Sequence, residues 1–140
     1  MKCVPLQNHE VTFHVHIEPE KTVLAGFFDG EDADWDALLE GQIARRLRLG
    51  QCEAWCKVVV TAIWLDSDGH MYTGTSAHGN CVLDSTDAPE HGEATPETPY
   101  TLARSAGLYT SALGDLNDHL IELIRRGETL ARALTPNRNL

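Results

Sequence analysis

The sequence predicts an α+β domain: a three-stranded antiparallel sheet with two helices, in the order β-α-β-β-α. Three observations carry this reading. Residues 11–17, VTFHVHI, alternate apolar and polar side chains. Residues 54–65, AWCKVVVTAIWL, are apolar on both faces and run into Asp66-Ser67-Asp68-Gly69. Two further stretches, after Asp32 and after Pro99, place their apolar residues at helical spacing.

The first strand puts Val11, Phe13, Val15 and Ile17 on one face and Thr12, His14 and His16 on the other. That period of two, with β-branched and aromatic residues, is a half-buried strand, and Pro19 ends it. Residues 20–33 hold Gly26, Gly30 and several acids and read as a loop, with Phe27 and Phe28 tucked beneath a neighbour. A helix follows, because Asp32 or Asp34 can cap its first turn and Gly50 can stop it. Trp35, Leu38, Leu39, Ile43 and Leu47 form its expected buried face, with Arg45, Arg46 and Arg48 at its C-terminal end.

Residues 54–65 are expected to be the central strand, covered at least in part on both sides. Asp68-Gly69 is a hairpin signal, so His70 to Leu83 returns as a third strand, bent or bulged near Gly74 and Gly79. Residues 84–99 carry three prolines, five acids and no large apolar side chain, which reads as a solvated loop. Thr98-Pro99 opens the second helix. Its seam runs Leu102, Ala106, Tyr109, Leu113, Leu116, Leu120 and Leu123, stepping by four and three. The helix is expected to stop near Gly127, leaving residues 128–140 as a frayed tail.

With 140 residues, the chain reads as one domain, 1–140. An apolar fraction of 42% and a charged fraction of 23% are ordinary for a globular chain and argue against general disorder. No run approaches the roughly 18 apolar residues that span a bilayer. The N-terminal residues lack the apolar core of a secretory signal, so the expected compartment is the cytoplasm. Cys3, Cys52, Cys56 and Cys81 are accordingly expected to be reduced thiols.

The net charge of −10 is unevenly placed. Eight acids lie between Glu18 and Glu40 against Lys21 alone, and five lie between Asp84 and Glu97 with no Lys or Arg. Direct binding to nucleic acid is disfavoured, since like charges repel and few cations are available to displace counterions. An acidic surface suits a basic protein partner, although it also simply keeps a small protein soluble. The candidate partner-binding residues are Asp29, Glu31, Asp32, Asp34, Asp36, Glu40, Asp84, Asp87, Glu90, Glu93 and Glu97.

No cofactor, metal or catalytic residue is assigned. His14 and His16 share a strand face about 7 Å apart and would need a third ligand, for which His70 or His78 were weighed. The plainer reading is the wet side of an amphipathic strand. Cys81 beside His78 invites a thiol nucleophile, but a small buried cysteine is the likelier role. Cys52 and Cys56 in one extended strand would stand about 13 Å apart, too far to share an ion. The run Asp29 to Asp36 lacks the glycine of a calcium loop.

The stretches Leu49 to Trp64, Tyr72 to Cys81 and Ala112 to Leu120 (ALGDLNDHL) resemble a family of short phage and mobile-element proteins. That family combines an AWCxVxVTAxW strand, a YxG…C return arm and a C-terminal helix with a DLN motif. The resemblance spans about half the chain and departs from the pattern at the insert 84–99. It implies a context, phage–host conflict, rather than a reaction. In that context the expected function is stoichiometric inhibition of a basic host defence complex, such as a CRISPR effector, without enzymatic activity. The alternatives are a metal or cysteine enzyme built on His14, His16, His70, His78 and Cys81, and a homodimeric module joined through the C-terminal helix.

Overall fold

The computed structural model describes residues 5–30, 32–85 and 97–134, and of residues 129 and 131–134 the backbone alone. Strand β1 (Thr12–Pro19), helix α1 (Ala33–Arg48), strands β2 (Cys56–Leu65) and β3 (Met71–Cys81), and helices α2 (Pro99–Ser105) and α3 (Leu108–Leu134) follow in that order. The sheet runs β1-β2-β3 with both pairings antiparallel. The fold is therefore the expected α+β arrangement, with β2 in the centre.

Register follows from the pleat. Val15 lies opposite Val60, Phe13 opposite Ala62 and Ile17 opposite Val58, so the apolar side of β1 joins the Cys56, Val58, Val60 and Ala62 side of β2. Helices α2 and α3 cover that face, and Leu6, Leu83, Ala103, Leu108, Ala112, Leu116 and Leu120 complete the core. Burial of this many aliphatic groups is what holds the layers together, at roughly 25 cal/mol per Å² removed from water.

The other face of β2 is covered only in part. It carries Lys57, Val59, Thr61, Ile63 and Leu65, of which Val59 is buried, and among the described residues no helix lies over it. The reason is topological. Because β1 and β2 are antiparallel neighbours, the connection between them begins and ends at the same end of the sheet and needs no crossover. Helix α1 closes that end instead, where Ile43 packs on Ala54 and Trp55 with Leu24, Phe28, Leu39 and Val82 beside them. Phe27 meets the Trp55 ring edge-on at 4.9 Å between centroids, and the indole Nε1 donates to Thr22 O at 2.9 Å. Arg46 anchors the helix by donating to Leu83 O at 2.6 Å and to Gln51 Oε1 at 2.9 Å.

The expected bulge lies at Gly79 and Asn80. Cys56 faces Cys81 and Val58 faces His78, so β3 carries one residue more than β2 there, and Asn80 takes a left-handed φ of 56°. Its amide donates to Glu20 Oε2 at 2.6 Å. Gly74 has a different role from the expected bend: it lets the backbone of α3 lie directly on the sheet.

The single C-terminal helix of the sequence reading is two helices. Thr98 caps α2 by accepting from Thr101 N, with Pro99 in the first turn, as anticipated. Helix α2 then ends at Ala106, and Gly107 turns the chain with φ 69° into α3. Ala106 is consequently exposed, and the buried stripe of α3 is Leu108, Ala112, Leu116 and Leu120. Helix α3 also continues through Gly127 to Leu134, so residues 128–134 of the expected tail are helical; residues 135–140 lie outside the described residues.

The Ala112–Leu120 motif has structural duties. Asp115 Oδ2 accepts from Thr75 N at 2.8 Å and His119 Nδ1 lies 3.2 Å from Thr73 O, both on the outer edge of β3. Asn117 holds the backbone of Leu6 in both directions, accepting from its N–H at 2.7 Å and donating to its carbonyl at 3.3 Å. The edge is thereby closed to further strands.

Candidate functional site

Helix α1 starts at Asp32, whose side chain accepts from Trp35 N at 3.0 Å, and ends at Leu49. Its inner stripe is narrow, with Ile43 its one buried residue, because it closes the end of the sheet rather than a face. The expected buried face therefore splits. Leu39 and Ile43 turn inward, whereas Trp35 is 60% exposed and Leu38 53% exposed. Trp35, Leu38, Gln42, Arg45 and Leu49 form an outer stripe with the i, i+3, i+7 spacing of one helical face, and Leu49 is 67% exposed. Large apolar side chains are also exposed elsewhere, at Val23, Leu65, Met71 and Leu130.

The candidate acids divide by what their carboxylates do. Asp32 caps α1, Glu40 accepts from Gly26 N at 3.3 Å, and Asp84 accepts from Glu97 N at 2.8 Å. Asp36 turns toward Gly30, and among the described residues its Oδ2 is enclosed without a hydrogen-bond partner. Asp29 and Asp34 are exposed with no such task among the described residues, and Glu97 engages through its backbone. Glu31, Asp87, Glu90 and Glu93 lie outside the described residues. Asp29, Asp32 and Asp34 are the exposed acids described at the N-terminal end of α1.

The histidines and cysteine weighed as ligands do not converge. His14 and His16 stack on the open sheet face with ring centroids 5.5 Å apart, and His16 Nε2 pairs with Glu18 Oε2 at 3.3 Å. Among the described residues His16 Nδ1 is enclosed without a hydrogen-bond partner. His70 stands beyond the hairpin turn at the far end of β3 from Cys81, and His78 opposes Val58 on the helix-covered side. Cys52, Cys56 and Cys81 are free thiols, and Cys3 lies outside the described residues. Burial pushes the Cys56 thiol up to about 12, with the neighbouring Cys81 adding to it, and burial raises Cys81 also. The Cys81 thiol donates to the backbone carbonyls of His78 and Gly79, at 3.1 and 3.5 Å.

Asp66 and Asp68, expected only to make the turn, stand beside His70, a candidate third ligand alongside the β1 histidines. One ligand atom from each lies within 4.8 Å of the other two. Asp66 Oδ1 accepts from Asp68 N at 2.8 Å and His70 N at 2.9 Å, which is the turn itself. Asp66 Oδ2 lies 3.3 Å from His70 Nδ1 and 3.4 Å from the Tyr72 hydroxyl. Burial works against the Asp66 charge, but the amides of His70 and Asp68 outweigh it and hold the carboxyl below its usual range. Burial and that carboxylate raise the Tyr72 phenol. The spacing Asp-x-Asp-x-His was the available signal.

No family model matches the chain, and neither a curated protein nor a solved structure matches it. Among the described residues no helix is long and apolar enough to cross a membrane.

Proposed function

We propose that the protein acts by stoichiometric binding to a basic, nucleic-acid-binding complex in the host cytoplasm, such as a CRISPR effector, and blocks it. Helix α1 is the ligand, lying in a groove of the partner with Trp35 and Leu38 as anchors. The observation that carries this reading is the exposure of those two side chains on a helix whose inward residues are Leu39 and Ile43. Asp29 and Asp34 steer the encounter with a cationic rim. Of the C-terminal seam expected to join a homodimer, Leu116 and Leu120 are buried on the chain's own sheet and Leu102, Tyr109 and Leu113 pack against the same core, which leaves Ala106 and Leu123 exposed.

The test is titration into a purified guide-loaded CRISPR effector, with cleavage as readout. Inhibition is expected to saturate at one equivalent and to weaken tenfold or more in the double variant Trp35→Ala, Leu38→Ala, since truncating a central anchor costs roughly 2 kcal/mol or more. Association is expected to slow as salt rises from about 0.05 to about 0.5 M. A double variant that inhibits like the wild type removes α1 from the interface, and a protein inert toward every such effector removes the reading.

A further inference from the structure

We propose that the β2–β3 hairpin turn is a binding site for a divalent first-row transition ion, Zn²⁺ in particular, held by Asp66, Asp68 and His70.

The turn needs only part of this cluster. Asp66 Oδ1 takes two amides, and the backbone bonds from Gly69 N to Asp66 O and from Asp66 N to His70 O complete it. Asp66 Oδ2 and His70 Nδ1 face each other, and the Asp68 carboxylate, which accepts no side-chain hydrogen bond among the described residues, lies with them inside 4.8 Å.

The spacing suits an ion as well as the pair that the two side chains make. Zn²⁺ holds oxygen and imidazole nitrogen at roughly 2.0–2.2 Å, so two ligands of a tetrahedral site stand about 3.3–3.5 Å apart. Asp66 Oδ2 and His70 Nδ1 are 3.3 Å apart. Asp68 is exposed, so its carboxylate can swing inward by about 1 Å at little cost. The Tyr72 hydroxyl, 3.4 Å from Asp66 Oδ2, is placed to orient the ligating carboxylate from outside. Water would take the fourth position.

Ligand chemistry selects the ion class. One imidazole and two carboxylates suit Zn²⁺ and its neighbours, whereas Ca²⁺ wants six to eight oxygens and Mg²⁺ an all-oxygen octahedron. The site lies on the hairpin, away from α1, and its existence does not depend on the proposed partner.

The experiment is calorimetric titration of Zn²⁺ into the full chain at neutral pH, with Mg²⁺ present in excess. One equivalent should bind with a dissociation constant below about 0.1 mM. Asp68→Asn and His70→Ala should each weaken it tenfold or more, and Zn²⁺ should shift the His70 imidazole resonances in NMR spectra. The double variant His14→Ala, His16→Ala should bind as the wild type does. Asp66 is left intact because its other oxygen builds the turn; Asp68 and His70 are exposed, so their variants should fold. Absence of binding at that level, unchanged affinity in Asp68→Asn and His70→Ala, or loss confined to the His14/His16 variant would overturn the assignment.

Discussion

A methyl group on Gly74 would stand 2.6 Å from the Ala112 carbonyl oxygen and equally close to the Leu116 Cα, both backbone atoms of α3 that cannot turn aside. Gly74→Ala must push the helix off the sheet, and the expected loss is about 2–3 kcal/mol in denaturant unfolding. Gly114 offers a control of opposite sign. It is exposed in the same helix with nothing within 4 Å of its added methyl, so Gly114→Ala should stabilise by somewhat under about 1 kcal/mol. If both substitutions move the unfolding midpoint the same way, the close approach of α3 to β3 is misassigned. Nothing local separates these two glycines: each reads as a weak spot in its element until the partner surface is in place. The same limit applies to Asp66, whose turn role was legible from Asp-Gly but whose second oxygen acquires its neighbours only when β3 returns beside β2.

At the scale of the element, α2 and α3 show how a periodic pattern can be right about apolar residues and silent about continuity. The four-three spacing from Leu102 to Leu123 runs unbroken through Gly107, and a continuous helix there would gain about 1 kcal/mol from alanine. Gly107 instead has φ 69°, where a side chain costs on the order of 1–2 kcal/mol. Gly107→Ala is therefore expected to destabilise by about 1 kcal/mol, and a rise in the unfolding midpoint would show the two helices to be one. Helix α1 illustrates the same point for burial. Its caps and length were readable from Asp32 and the arginines, yet the side that faces inward depended on where the helix docks. At the end of a sheet, only Leu39 and Ile43 find cover, and Trp35 and Leu38 do not.

For the whole molecule, stability should vary with pH in a way set by named groups. The His16 hydrogen bond, with Lys57 next, holds the Glu18 carboxyl below its usual value, and the Asn80 amide, with that of Thr22, does the same for Glu20. Asp66 is lowered as well. Groups depressed in the fold contribute stability that is complete above their unfolded values and is lost as pH falls through the folded ones. Cys56, raised to about 12, together with Cys81 and Tyr72, works in the opposite sense: its contribution is complete below the ordinary thiol value of 9.0 and disappears as pH climbs toward 12. The urea midpoint should therefore be highest between roughly pH 5 and 9 and fall on both sides. Glu20→Gln should flatten part of the acid limb, because that carboxylate joins the end of β1 to the bulge of β3. An acid limb unchanged in this variant would count against that link.

By itself the sequence determined the α+β class, the three strands and their order along the chain, the Asp68-Gly69 turn, and the starts of α1 and α2 at Asp32 and Thr98. These rest on the period of side chains and on caps that reach only three residues ahead, so a few consecutive residues suffice to specify them. Tertiary structure alone decided that α1 exposes Trp35 and Leu38, that Gly74 carries the backbone of α3, and that Gly107 divides a helix. Each of those is a relation between a side chain and a surface supplied from elsewhere in the chain, and burial has no value until both are in place.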